Sequence, residues 1–195
     1  MTSMLLTSAA SLPVSALLTL ALRRRYRCGR AACAGYCALL IYLAAMFAAE
    51  WTLPKAGRLP GLSGFRLREV SAPPDARGIV GNLLLLTPVS LLTTLLLPQH
   101  RRLLTQLLLA LSLSLLIECV QVLLLRRTSL YDPLLNLSGA ALGCGLAHRL
   151  RRLRPAACAR LEVRGSQCLL ISCVLCALAL FIVVSVGALA LWGKE

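Results

Sequence analysis

Charge is scarce in this chain. Asp, Glu, Lys and Arg make up 14% of its 195 residues, against roughly 25% in an ordinary soluble domain. Polar helix faces are missing as well, and a soluble all-helical core would need them on most of its helices. Histidine occurs twice, as His100 and His148. Each stands beside an arginine at the end of an apolar segment with no second ligand at metal spacing, so no metal site is expected. Aromatics amount to 5% of the residues and rarely fall among the basic ones, which argues against a nucleic-acid surface. No internal repeat is visible, against the usual build of a secondary transporter. No nucleophile stands with a base at catalytic spacing, and no motif calls for a cofactor.

What is present is apolar. The chain is 58% hydrophobic, with a mean hydropathy of +0.80. Apolar runs of about 18 residues or more recur along its length, the pattern of a polytopic helical membrane protein. The formal net charge of +14 comes from basic residues in short loops between these runs, where topology and anionic lipid account for them. Most of the nine cysteines lie inside apolar runs and act as small hydrophobes. Cys173 and Cys176 form a CxxC, but with no polar partner for redox or metal chemistry.

The reading is an all-α transmembrane bundle of about six helices. The first segment, Leu5 to Leu22, is followed by the basic run Arg23, Arg24, Arg25, Arg27 and Arg30. Charge after the apolar run is the reverse of a signal peptide. A second segment, about Ala31 to Ala49, closes on Glu50 and the interfacial Trp51. The one long loop, Thr52 to Gly78, holds four of the nine prolines and reads as a surface loop or lid. A third segment runs from Ile79 to Leu97 with Pro88 in its middle, and a fourth from Leu103 to Leu125. The fifth, Leu134 to His148, is short and rich in glycine and alanine. The basic connection Arg149 to Arg164 leads to a sixth, Cys168 to Trp192. If the first basic loop is cytoplasmic, thirteen basic residues fall on the cytoplasmic side and eight on the other. The short loops thus place both termini outside the cell.

The stretch Ser114 to Gly143 carries polar residues where a membrane disfavours them. Glu118 and Gln121 lie inside the fourth segment, Asn136 opens the fifth, and Arg126, Arg127 and Asp132 occupy the turn between. With a rise of about 1.5 Å per residue, Glu118 lies roughly 10 Å and Gln121 roughly 6 Å below the end of their helix. Ser114, Glu118 and Gln121 share one helix face. Asn136, Gly139, Ala140, Gly143 and Ala147 share another, a small-residue stripe that lets a neighbour pack closely and brings Asn136 toward Glu118. Asn82, at the start of the third segment, falls at the same level. Amides and Ser114 can serve as interhelical glue, Arg126 and Arg127 can snorkel to head groups, and Asp132 before Pro133 can cap a helix. A carboxylate is the costliest of these to bury, so Glu118 points most strongly to a functional site.

These motifs resemble the VanZ-like family. Ile117, Glu118 and Gln121 form IExxQ; Asp132, Asn136, Gly139 and Gly143 form DxxxNxxGxxxG; Asn82 and Pro88 match N(x)5P; and Thr52, Leu53 and Pro54 match TLxP. Two positions depart from the pattern. Thr128 or Ser129 stands where the family often has an acid, and Val89 and Ser90 stand where it has a glycine after the proline. The resemblance covers about residues 40 to 148. It implies an integral membrane protein linked, through the family's namesake, to low-level teicoplanin resistance.

The chain therefore divides into an added helix and basic loop (1–30), a four-helix VanZ-like core (31–148), and a basic loop with a final helix (149–195). The site is expected to hold Glu118, Arg126 and Asp132 at its chemical centre, with Asn82, Gln121, Arg127 and Asn136 lining it. Its expected partner is a membrane lipid or a lipid-linked cell-wall precursor, with no metal, cofactor or nucleic acid; no feature of the sequence dictates an oligomer. Binding or handling such a ligand is one reading, with the arginines holding a phosphate or carboxylate. An intramembrane enzyme with Glu118 as general acid or base is the other. A single cysteine placed in the Thr52–Gly78 loop of a cysteine-free background should react with an impermeant thiol reagent in intact cells. Labelling only after lysis would invert the topology.

Overall fold

Pro88 breaks the third apolar segment in two. The computed structural model describes residues 29–50, 76–123 and 131–163, together with a few isolated positions before residue 25. The described residues are all-helical, with no strand. Helix α1 spans Arg30–Glu50, α2 Ala76–Leu85, α3 Thr87–Leu96, α4 Leu103–Leu123, α5 Tyr131–Leu153 and α6 Pro155–Leu161, with a 3-10 turn at Pro98–His100 between α3 and α4. All but four positions of the first apolar segment, the whole of the sixth, residues 52–75 of the long loop, and Arg126 and Arg127 lie outside the described residues.

The third segment was expected to be continuous. Instead Leu86 bends (φ −100°, ψ −3°), and α3 restarts with Pro88 in its first turn. A proline offers no N–H to the carbonyl four residues back, and its ring crowds that carbonyl. Tyr42 of α1 compensates: its hydroxyl donates to the carbonyl of Leu85 at 2.9 Å and to that of Leu84 at 3.3 Å.

The fifth segment is also longer than expected, since α5 carries on five residues past His148. Arginine is a good helix former, so Arg149, Arg151 and Arg152 do not end the helix. Pro155 does, with Arg154 turned out of helical geometry ahead of it (φ −135°, ψ 60°). Beyond it, the expected basic connection forms the short helix α6.

Four rods result, counting α2 and α3 as one. Gly35 lies against Leu96 and Tyr42 against Leu84 and Leu85, so α1 runs antiparallel to the broken rod. α5 runs parallel to that rod, with Gly139 beside Leu83 and Gly143 beside Thr87. α4 runs antiparallel to α5, pairing Ser114 with Asn136 at one end and the Arg101 carbonyl with His148 at the other. The core holds Tyr36, Leu39, Leu40, Leu43 and Phe47 of α1 against Val89 and Leu96, Leu113 and Ile117. Leu104, Leu108, Leu111 and Leu115 face outward along α4, the face a lipid-immersed helix turns to its solvent.

The contact between α5 and the broken rod is the closest in the bundle. A Cβ built on Gly139 would run into the carbonyl oxygen of Leu83, and one on Gly143 into that of Thr87. Backbones that approach this closely require glycine. Hydroxyls lie along the same seam. Thr87 donates to the carbonyls of Leu83 (2.7 Å) and Gly139 (3.0 Å), and Ser90 to that of Ala140 (2.7 Å). Gly143→Ala should therefore lower stability in detergent by about 1–3 kcal/mol. Gly145→Ala, with open space at its Cβ, should leave it unchanged or slightly raised. Thermal unfolding of the two variants side by side checks this; equal melting would refute the close approach.

Candidate functional site

Helix α5 enters the bundle with Asp132 in its first turn, where a carboxylate meets the positive end of the helix dipole. Its expected role as a helix cap gives way to a contact between helices. Asn82 of α2 donates from Nδ2 to Asp132 Oδ1 at 2.7 Å. Both side chains are half-buried, so the bond is shielded from competing water on one side.

One turn further along α5, Asn136 is 2% exposed. Its amide nitrogen donates to Ser114 Oγ of α4 at 2.9 Å, while its Oδ1 is buried with no hydrogen-bond partner. Turning the amide over would exchange the two roles, because a serine hydroxyl can donate or accept. In either setting one polar end of Asn136 is buried without a partner. An unmet buried amide group costs roughly 1–3 kcal/mol, and such sites mark places where a ligand or water completes the bonding.

Glu118 lies one turn from Ser114 on the same face of α4 and is half-buried; Gln121 follows on that face and is buried. Asn82, Asp132, Asn136, Ser114, Glu118 and Gln121 thus come from three helices at one end of the bundle. The small-residue stripe of α5 packs on the broken rod rather than on α4, and Asn136 reaches α4 at Ser114, a turn away from Glu118. Arg126 and Arg127, which follow α4 in sequence, lie outside the described residues. Among the described residues no group of three or more His, Cys, Asp or Glu could hold a metal ion.

The VanZ/LLP1 family model matches residues 39–151. The chain belongs to the VanZ-like family. No curated protein and no solved structure matches it. The matched span runs from α1 through the last turns of α5 and contains every residue of the cluster. The VanZ-like family is membrane-associated, and two stretches here, Arg30–Phe47 and Gly78–Leu96, are long and apolar enough to cross a bilayer. At the departure from the family's glycine, Ser90 uses its side chain to bond the carbonyl of Ala140.

Several polar residues that tie these helices together were not put forward as site residues from sequence. Thr87 and Ser90 set the distance between α3 and α5. Thr93 and Gln106, both buried, join α3 to α4 at 3.1 Å, and Gln106 Nε2 donates to the carbonyl of His100 at 2.6 Å. Three- and four-residue spacing of hydroxyls inside the apolar run (Thr87, Ser90, Thr94) was the available signal. Asp132→Asn keeps an acceptor for Asn82 and should change stability by less than about 1 kcal/mol. Asp132→Leu removes the acceptor and should cost roughly 1–3 kcal/mol. A double-mutant cycle with Asn82→Leu should recover part of that loss; strict additivity would mean that the bond contributes nothing.

Proposed function

We propose that this VanZ-like protein is a multi-pass cell-membrane protein with both termini outside the cell. In this reading, the polar cluster at the Asn82–Asn136 end is a pocket facing outward. It binds the polar or anionic head of a membrane lipid or lipid-linked cell-wall precursor. The observation that carries the reading is the buried Asn136 amide, met by Ser114 at one end and unpartnered at the other. It stands beside an Asn82–Asp132 pair and a half-buried Glu118. A scaffold needs no such group, whereas a ligand carrying hydroxyl, amide or phosphate groups would complete it.

Each residue then has a role. Arg126 or Arg127 holds the anionic group, since a guanidinium suits phosphate or carboxylate geometry. Glu118 and Asp132 orient the arginines, and Asn82, Gln121 and Asn136 line the pocket. Removing or masking an envelope ligand at the outer face connects this site to glycopeptide resistance of the teicoplanin kind. A second reading is favoured by the position of Glu118, a carboxylate set within an apolar helix. There it acts as general acid or base in an intramembrane enzyme working on a lipid-linked substrate.

Substitution separates the two. Binding predicts that Glu118→Gln retains much of the ligand and the cellular phenotype, while Arg126→Ala loses affinity by about ten-fold or more, the worth of a charge-assisted hydrogen bond. Catalysis predicts the reverse: Glu118→Gln abolishes the phenotype while lipid still co-purifies. Full retention in both variants would remove the pocket from consideration. The measurements are lipid mass spectrometry of the purified chain and drug susceptibility of cells expressing each variant.

A further inference from the structure

The end of the bundle opposite the polar cluster gathers charge that is scattered in sequence. Arg30 opens α1, Arg102 precedes α4, Arg149 and Arg152 lie near the end of α5, and Arg154 and Arg160 flank or belong to α6; all six are exposed. The fold brings them to one surface through specific ties. Val163 N donates to the Leu96 carbonyl at 2.9 Å, folding the chain after α6 back onto the end of α3. His148 Nε2 meets the Arg101 carbonyl at 2.9 Å, and a Cβ built on Gly29 would lie 4.0 Å from the Arg160 carbonyl oxygen.

Among the described residues this end holds a single acid, Glu162, and it is already engaged. Arg151 donates to Glu162 Oε1 at 2.8 Å, and Arg101 pairs with the same oxygen at 2.5 Å. Burial pushes the Glu162 carboxyl up, but the bond from Arg151 and the charges of Arg101 and Arg151 outweigh it and hold its pKa below the usual value. Glu162 is therefore ionised at neutral pH and engaged by two half-buried arginines, and among the described residues no other acid at this end faces the six exposed ones.

We propose that this surface is a seat for anionic phospholipid head groups of the leaflet it faces. α6 lies along the interface: Cys158 is buried against the bundle, while Ala156, Ala157, Ala159 and Arg160 are turned outward. Small side chains let the head groups come close, and the arginines around them supply the charge. The Glu162 clasp holds α5 and the end of α6 to the turn before α4, so the arginines stay on one plane instead of trailing as a flexible basic tail. Lipid phosphate is the occupant because the patch adjoins the lipid-facing leucines, Leu104 and Leu153 among them. A soluble anion would gain nothing from that neighbour.

The test uses the full chain purified in neutral detergent and titrated with phosphatidylglycerol, phosphatidylcholine or inorganic phosphate, with bound lipid counted by native mass spectrometry. Wild type should prefer phosphatidylglycerol over phosphatidylcholine, with the preference shrinking in high salt. Arg102→Gln, Arg152→Gln and Arg154→Gln together should weaken it by about five-fold per arginine removed. The matching lysine triple variant should keep most of it, which separates charge from folding. Glu118→Gln and Asn82→Ala, at the other end, should remove at most the lipid held in the outward pocket and leave the salt-sensitive phosphatidylglycerol preference that the glutamine triple variant loses, so the two sites are read separately. No head-group preference in wild type, an undiminished one in the glutamine variant, or full displacement by inorganic phosphate would each overturn the proposal.

Discussion

The close packing of α5 on the broken rod of α2 and α3 is the constraint on which the other features depend. Gly139 and Gly143 bring the two backbones together, and Thr87 and Ser90 cross the gap to α5 carbonyls. In an apolar surround each of these polar groups needs an internal partner, and the seam supplies one. The same contact sets the register of α5, and so decides which residues of α4 its first turns can reach. Asn136 meets Ser114 and Asp132 meets Asn82 because Gly139 sits on Leu83. Moving α5 by one turn would separate both pairs.

Two ends of opposite character follow from that register. At one, neutral amides and two carboxylates collect with few basic residues in the described part of the chain. At the other, arginines from four stretches of sequence surround a single shared carboxylate. Between them the surface is leucine. Among the described residues, amides and carboxylates thus gather at one end of the bundle and arginines at the other. α6 and Glu162 lie beyond the family-matched span, whereas Arg101 and Arg151, which hold Glu162, lie within it.

Part of the polar cluster was legible in the sequence. Glu118, Gln121 and Asn136 stand out because polar residues in apolar runs are costly and therefore conspicuous, and helical spacing assigns Ser114 and Glu118 to one face. The direct bond between Asn82 and Asp132 was not legible. Fifty positions separate them, and spacing along a chain carries no information about which helices become neighbours. Tyr42 was hidden for the same reason. Nothing near it in sequence hints that its hydroxyl will serve carbonyls released by Pro88.

The sequence by itself determined that the chain is apolar and its described residues helical, where α1, α2, α4 and α5 begin to within three residues, and that it is VanZ-like, because hydropathy, periodicity and motifs are properties of local residue order. Only the tertiary structure decided that the glycine stripe faces the broken rod rather than α4, and that the arginines at 30, 102 and 149–160 form one surface. It also decided that Glu162 is occupied by Arg101 and Arg151. Those outcomes depend on which backbones can approach closely, and that is settled by the shapes of whole helices against each other.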